Sequence, residues 1–88
     1  MKTSTSKVGK IQKQVEEVIA RVTGLSPQAI DINVPLAKFG VDSLIALSVV
    51  AAIEKQLKIR IPERRLRSIK STKDLIAVVV DVGGDGKA

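Results

Sequence analysis

The sequence predicts a small all-α protein, a four-helix bundle with a long loop between helices 1 and 2 and a short helix 3. Three observations support this fold class. Apolar residues recur at helical spacing in three segments, residues of capping type stand at the boundaries of those segments, and no apolar–polar alternation is long enough for a sheet. The 88 residues suffice for one domain with a thin core.

The first helix is predicted from Lys10, and Gly24 stands where a helix C-terminus is expected. Its apolar stripe consists of Ile11, Val15, Val18, Ile19 and Val22. The polar residues 1–9 are expected to form a flexible N-terminus, residues 10–82 the folded domain, and residues 83–88 a flexible tail.

A long ordered loop is predicted to follow over residues 31–41, after a short turn that begins at Ser26-Pro27. Pro35 and Gly40 interrupt helical periodicity in this loop. Its apolar anchors are expected to be Ile32, Val34, Leu36 and Phe39.

The second helix is predicted to begin at Asp42, a residue type favoured at the N-cap, and to end near Leu57. Its core stripe is expected to consist of Leu47, Val50, Ile53 and Leu57. After an extended connector at residues 59–61, Pro62 can start a short helix that turns Leu66 and Ile69 inward. The capping-box pattern Ser71-x-x-Asp74 then opens the last helix, whose inward residues are predicted to be Leu75, Ile76, Val79 and Val82.

Composition excludes most catalytic chemistry. The chain has no histidine and no cysteine, so the common general base, imidazole or thiolate metal ligands and disulfides are all absent. Phe39 is the single aromatic residue, which leaves no platform for stacking bases. No catalytic residue and no metal site are therefore predicted, and an independent enzyme is not expected.

Ser43 is the candidate functional residue, because it lies just inside a predicted helix start and after a glycine-containing loop. Free backbone N–H groups and the positive end of the helix dipole favour an anion at such a position. No neighbouring side chain of suitable type could activate the Ser43 hydroxyl. The residues therefore favour Ser43 as the substrate of another enzyme, rather than as a catalyst.

The segment from Asp31 to Leu44, which reads Asp-x-x-x-Pro-Leu-x-x-Phe-Gly-Val-Asp-Ser-Leu, resembles the acyl carrier protein family. The later Ile59-x-Ile61-Pro62 matches as well, and the resemblance covers residues 10–82. It implies that Ser43 carries 4′-phosphopantetheine through a phosphodiester, and that the thiol of this arm holds acyl intermediates as thioesters for fatty-acid or polyketide-type biosynthesis. Asp42 matches the acidic residue where the family's phosphopantetheinyl transferase docks.

The resemblance also implies partner enzymes that load, condense or transfer acyl groups. Docking on these partners is expected to use Leu44, Ile45, Ser48, Lys55, Arg64, Arg65 and Arg67. The chain departs from the acidic members of the family, because it has a net charge of +6 and carries eight basic residues between Lys55 and Lys73 against one glutamate. Two interpretations stay open: a solvated face, or a surface that meets partners with acidic or apolar docking faces.

Three alternatives remain at this stage. Peptidyl carriers more often have histidine before the serine, so Asp42 favours acyl cargo over an aminoacyl or peptidyl carrier. A small basic nucleic-acid-binding or adaptor bundle would suit the charge, but it lacks aromatic residues and a recognition-helix motif. A carrier that is never loaded conflicts with the intact Asp42-Ser43-Leu44.

No apolar segment is long enough for a membrane span, and the expected location is the cytoplasm.

The resemblance further implies that a long acyl chain folds back between the helices, provided that an apolar stripe there can part. The residues expected to form this stripe are Leu47, Val50, Ile53 and Val79.

Overall fold

The computed structural model describes residues 3–83, with side chains from residue 9 onward. Its four α-helices are α1 (Thr3–Thr23), α2 (Ser43–Leu57), α3 (Glu63–Leu66) and α4 (Thr72–Gly83). Two short 3-10 helices, Pro27–Ala29 and Leu36–Phe39, lie between α1 and α2. No β-strand forms within residues 3–83, which confirms the predicted all-α bundle with a long first loop and a short third helix.

The core lies where α1 packs against both α2 and α4. Ile19 of α1 and Ile53 of α2 are fully buried, and Leu75 of α4 is 1% exposed. Val22 is an exception to the predicted stripe on α1, because it is 36% exposed. Its position explains this, since α1 ends one residue later and the chain turns away through Gly24, which has a φ of 84°.

The first helix begins earlier than the sequence predicts, at Thr3 rather than Lys10. Residues 3–9 are rich in Ser and Thr, and Val8 is their one large apolar residue, so the periodicity used for the prediction could not detect this part of α1. The flexible tail predicted for residues 83–88 falls outside the described residues, apart from Gly83 at the end of α4.

The predicted core stripe of α2 is wrong at Leu47, which is 55% exposed. Ala46 takes its place, half-buried against the core, and Val49 joins Val50 and Ile53 in the interior. The helix is apolar around most of its circumference from Leu44 to Ile53, so spacing alone could not decide which side faces inward.

A tight connector joins α2 to α3. Lys58 ends α2 in the left-handed conformation, with φ 58° and ψ 46°. The Glu54 carboxylate then accepts a hydrogen bond of 2.8 Å from the backbone N–H of Ile61, which is itself buried. The short helix α3 contains no fully buried residue, and Leu66 packs against the core only in part.

Within residues 3–83, no helix is both long and apolar enough to cross a membrane.

Candidate functional site

Ser43 is exposed as the first residue of α2. Asp42 caps the helix as predicted, because its Oδ1 accepts a hydrogen bond of 2.9 Å from the backbone N–H of Ile45. The helix start thus combines an exposed hydroxyl with the positive end of the α2 dipole, an environment that favours an attached anionic group.

The loop before Ser43 is closed by backbone hydrogen bonds. Gly40 adopts a left-handed conformation with φ 83° and ψ 12°, and its N–H bonds back to the 3-10 helix Leu36–Phe39. Val41 is 5% exposed, and its N–H donates to the carbonyl of Leu36 at 3.2 Å. These contacts hold the backbone immediately before Asp42, and a residue with a Cβ would be strained at Gly40.

The same loop is tied to the start of α4. The N–H of Leu36 donates to the carbonyl of Lys70 at 2.8 Å, and the N–H of Lys73 donates to the carbonyl of Ile32 at 2.9 Å. An isolated antiparallel bridge pairs Pro35 with Ser71. The sequence indicates an ordered loop but gives no signal for this pairing, which joins residues far apart in the chain.

Asp74 organises the segment to which the loop is tied. Its Oδ2 accepts hydrogen bonds from the N–H groups of Lys70, at 3.0 Å, and Ser71, at 3.1 Å. The Ser71 hydroxyl accepts in turn from the N–H of Asp74 at 3.2 Å, which confirms the predicted capping box. The pKa of Asp74 lies below its ordinary value of 3.8, mainly because of the hydrogen bond from the Lys70 N–H. Partial burial acts to raise this pKa, whereas the hydrogen bonds with Ser71 and the charge of Lys70 lower it further.

A cleft of about 530 Å³ opens beside Ser43, between the loop, α2 and the region of α3. Apolar side chains line most of it, including Leu36 and Val50 from the interior and Leu66 from α3. Leu47 borders the same space, which accounts for its exposure. The sequence predicts Leu47 and Val50 beside an acyl chain but not the other walls of this cleft, because it forms only where three chain segments meet.

The predicted docking residues of α2 divide into two groups. Leu44 is 75% exposed, and Ser48 and Lys55 are exposed as well. Ile45, in contrast, is half-buried and packs against the core, which differs from the expectation that it faces solvent. Leu47 replaces it on the surface, one turn after Leu44 on the same side of the helix.

The three predicted arginines have different surroundings. Arg65 forms an ion pair of 2.8 Å with Asp81 of α4, the one ion pair among the described side chains. Arg64 is exposed on α3, whereas Arg67 follows α3 and lines the cleft. Arg65 therefore joins α3 to α4, whereas Arg64 is exposed to solvent and Arg67 borders the cleft.

The chemistry available at the site is that of attachment. The chain contains no histidine, and no described side chain forms a hydrogen bond with the Ser43 hydroxyl that would activate it. An exposed serine at a helix start, an adjacent acidic cap and an apolar cleft together define a small helical protein that can present a covalently attached group to other proteins.

Comparison with known proteins identifies the family. A family model described as "Phosphopantetheine attachment site" matches residues 13–79, which is most of the chain. The chain belongs to the acyl carrier protein family, whose phosphopantetheine attachment domain is not itself catalytic. This membership favours the carrier over the nucleic-acid-binding alternative.

The relatives include free-standing carriers and large synthases. The chain is 33% identical over 64 residues to an acyl carrier protein homolog of Ureaplasma parvum, covering 73% of this chain and 83% of the relative. An acyl carrier protein of Rickettsia bellii is 31% identical over 72 residues, 81% of this chain and 89% of the relative. A 3-methylorcinaldehyde synthase of Phoma sp is 32% identical over 79 residues, which are 90% of this chain but 3% of the synthase.

Proposed function

We propose that Ser43 is the residue to which the 4′-phosphopantetheine arm is attached. The observation that carries the proposal is the position of this serine, exposed at the start of α2 and at the edge of an apolar cleft. Asp42 lies beside it and can contact the phosphopantetheinyl transferase without losing its role as the helix cap. The group fits these residues, because an anionic phosphodiester on Ser43 would stay in solvent near the positive end of a helix dipole.

The arm supplies a terminal thiol that holds an acyl group as a thioester. The protein's own contribution is to present this cargo, since tethering raises its effective concentration at each partner enzyme. Fatty-acid and polyketide-type biosynthesis both agree with the relatives, which include free-standing acyl carrier proteins and synthases. An aminoacyl or peptidyl cargo is the alternative, and Asp42 before the serine argues for the acyl one. The proposal includes the cytoplasmic location that the sequence predicts.

The cleft is the proposed resting place of an acyl chain. Of the residues expected for this role, Ile53 is fully buried and Val79 is 1% exposed, so both lie in the core and not along the cleft. Leu47 and Val50 do line the cleft, together with Leu66 on the opposite wall. An acyl chain can therefore be shielded from water without separating α2 from α4.

Partner enzymes are proposed to dock on the exposed side of α2. Leu44, Leu47 and Ala51 form an apolar strip there at successive helical spacings, with Ser48 and Lys55 alongside. No acidic residue interrupts this strip. We expect the transferase and the acyl-loading, condensing or acyl-transfer partners to present apolar pockets with acidic rims, since complementary charge selects partners and speeds association.

The attachment is tested by intact-protein mass after incubation with coenzyme A and a broad-specificity transferase. The parent protein should gain one phosphopantetheine and Ser43→Ala should gain none. Ser26→Ala should be loaded like the parent, because Ser26 is an exposed serine outside the proposed docking surface. Circular dichroism verifies that each variant is folded. Loading of Ser43→Ala, or no loading of the folded parent by several transferases, would contradict the proposal.

The docking surface is tested by charge reversal. We expect Lys55→Glu combined with Arg64→Glu to change the loading rate and to reduce its dependence on salt, because Lys55 is exposed on α2 and Arg64 is exposed on α3. Lys13→Glu is the control, since Lys13 is exposed on α1. An unchanged rate and salt dependence in the double variant would leave the basic residues as a solvated face.

A further inference from the structure

The cleft beside Ser43 is apolar inside and cationic at one rim. Leu47 and Leu66 line its walls, while Arg67 and Lys70 line it from the segment that follows α3. Both cations are exposed, so their charged ends can stay hydrated while they border the apolar space. A hydrocarbon chain alone would use the apolar walls and leave this rim without a role.

The cations at the rim form no direct ion pair in the described structure, although the Lys70 charge contributes to the lowered pKa of Asp74. Among the described side chains, neither Arg67 nor Lys70 forms an ion pair or a side-chain hydrogen bond. Two carboxylates also line the cleft: Asp42, which caps α2 and keeps its negative charge, and Glu63. Glu63 lies one turn before Arg67 and does not pair with it in the structure.

We propose that this cleft selects acyl chains that carry a carboxylate at the end remote from the thioester. The inference rests on the proposed attachment of the arm to Ser43, and it makes Arg67 and Lys70 the specificity-determining residues for the cargo. The apolar walls would cover the methylene chain, while the guanidinium of Arg67 and the ammonium of Lys70 would bind the terminal carboxylate.

Charge complementarity distinguishes this cargo from a neutral one. A guanidinium matches a carboxylate with two parallel hydrogen bonds, and an ammonium adds a further donor. A neutral end group of similar size offers weaker acceptors and no net charge. Glu63 weakens binding of a carboxylate, because it also lines the cleft and its negative charge repels one. Removing the Glu63 charge should therefore strengthen retention, whereas removing the two cations should weaken it.

The test uses the full chain loaded at Ser43 with three matched cargoes: octanoyl, octanedioyl and the monomethyl ester of octanedioyl. Cleavage of each thioester by hydroxylamine is compared with cleavage of the same pantetheine thioester free in solution. We expect octanedioyl to be protected about fivefold more than its methyl ester, as partly exposed ion pairs allow, and salt to reduce this difference. Amide chemical shifts at residues 66–70 should change with octanedioyl and less with the ester.

Variants identify the groups responsible. Arg67→Gln combined with Lys70→Gln should abolish the preference for octanedioyl, and Glu63→Gln should increase it. The matched control is Arg60→Gln combined with Lys73→Gln, which removes two exposed cations that do not line this cleft and should leave the preference unchanged.

Equal protection of octanedioyl and its ester, or a preference that survives loss of Arg67 and Lys70, would overturn the inference. Failure of the attachment itself would be distinct, because no cargo of any kind would then be loaded on Ser43.

Discussion

Asp74 offers a sharp test of how the site is held in place. Its carboxylate accepts from two backbone N–H groups, and Lys70, which supplies one of them, binds Leu36 of the loop through its carbonyl. Asp74→Ala leaves both donors without this acceptor and removes half of the capping box, which should cost about 2 kcal/mol. Asp74→Asn keeps an acceptor oxygen but loses its charge at the start of α4, which should cost about 1 kcal/mol.

The effect should depend on pH in a defined direction. Since its hydrogen bonds lower the pKa of Asp74 in the folded protein, the ionised carboxylate stabilises the fold at pH values above 3.8, the ordinary value. This stabilisation is lost as the pH falls through the lowered pKa. The stability difference between the parent and Asp74→Asn should therefore be full near neutral pH and shrink in acid.

Thermal and urea unfolding followed by circular dichroism measure both effects. For a domain of this size, the expected losses correspond to decreases in Tm of about 10 °C for Asp74→Ala and about 5 °C for Asp74→Asn. Hydrogen exchange at the Leu36 N–H should accelerate in the alanine variant, because its acceptor at Lys70 is no longer fixed. Asp81→Asn is the control, since it breaks only the exposed ion pair with Arg65 and should change stability by less than about 1 kcal/mol. A difference between the parent and Asp74→Asn that stays constant into acid would refute the reasoning.

Three further substitutions can be checked by the same unfolding measurements. Thr72 is fully buried, and its Oγ1 has no hydrogen-bond partner in the described structure. Thr72→Val should therefore raise the free energy of unfolding by about 1 kcal/mol. A loss of stability would indicate that the hydroxyl is hydrogen-bonded. Gly83→Ala should lower stability by about 1 kcal/mol, because the new Cβ would stand 2.5 Å from Cγ2 of Ile59; no loss would indicate that the end of α4 moves freely. Lys58→Gly should stabilise by about 0.5 kcal/mol by relieving a positive φ of 58°, and destabilisation would contradict this view of the α2 C-terminus.

The sequence predicts the starts of two helices because local chemistry decides them. The Asp42 cap and the Ser71–Asp74 capping box need only a few neighbouring residues, and both form the hydrogen bonds expected of them. Ser43 is likewise recognisable from its own segment, as the residue that follows the cap.

Features that depend on packing could not be read from spacing. Leu47 belongs to an apolar run that can turn either side inward, and only the arrangement of the other helices leaves it exposed at 55%. Arg65 resembles its neighbouring arginines in the sequence, yet it pairs with Asp81, sixteen positions away. The cleft and its cationic rim likewise combine residues from separate segments, so they become visible only in the folded chain.

The hydrogen bonds between the loop and the start of α4 have a consequence for synthesis of the protein. Leu36 and Ile32 find their backbone partners at Lys70 and Lys73, so closing this pairing requires residues that leave the ribosome much later. Contacts of long sequence separation are made after local helices form, because the intervening chain must first be brought together. The nascent chain thus exposes Ser43 well before its surroundings are native, and an enzyme that attaches the proposed arm to the folded site must wait for nearly the whole domain to emerge.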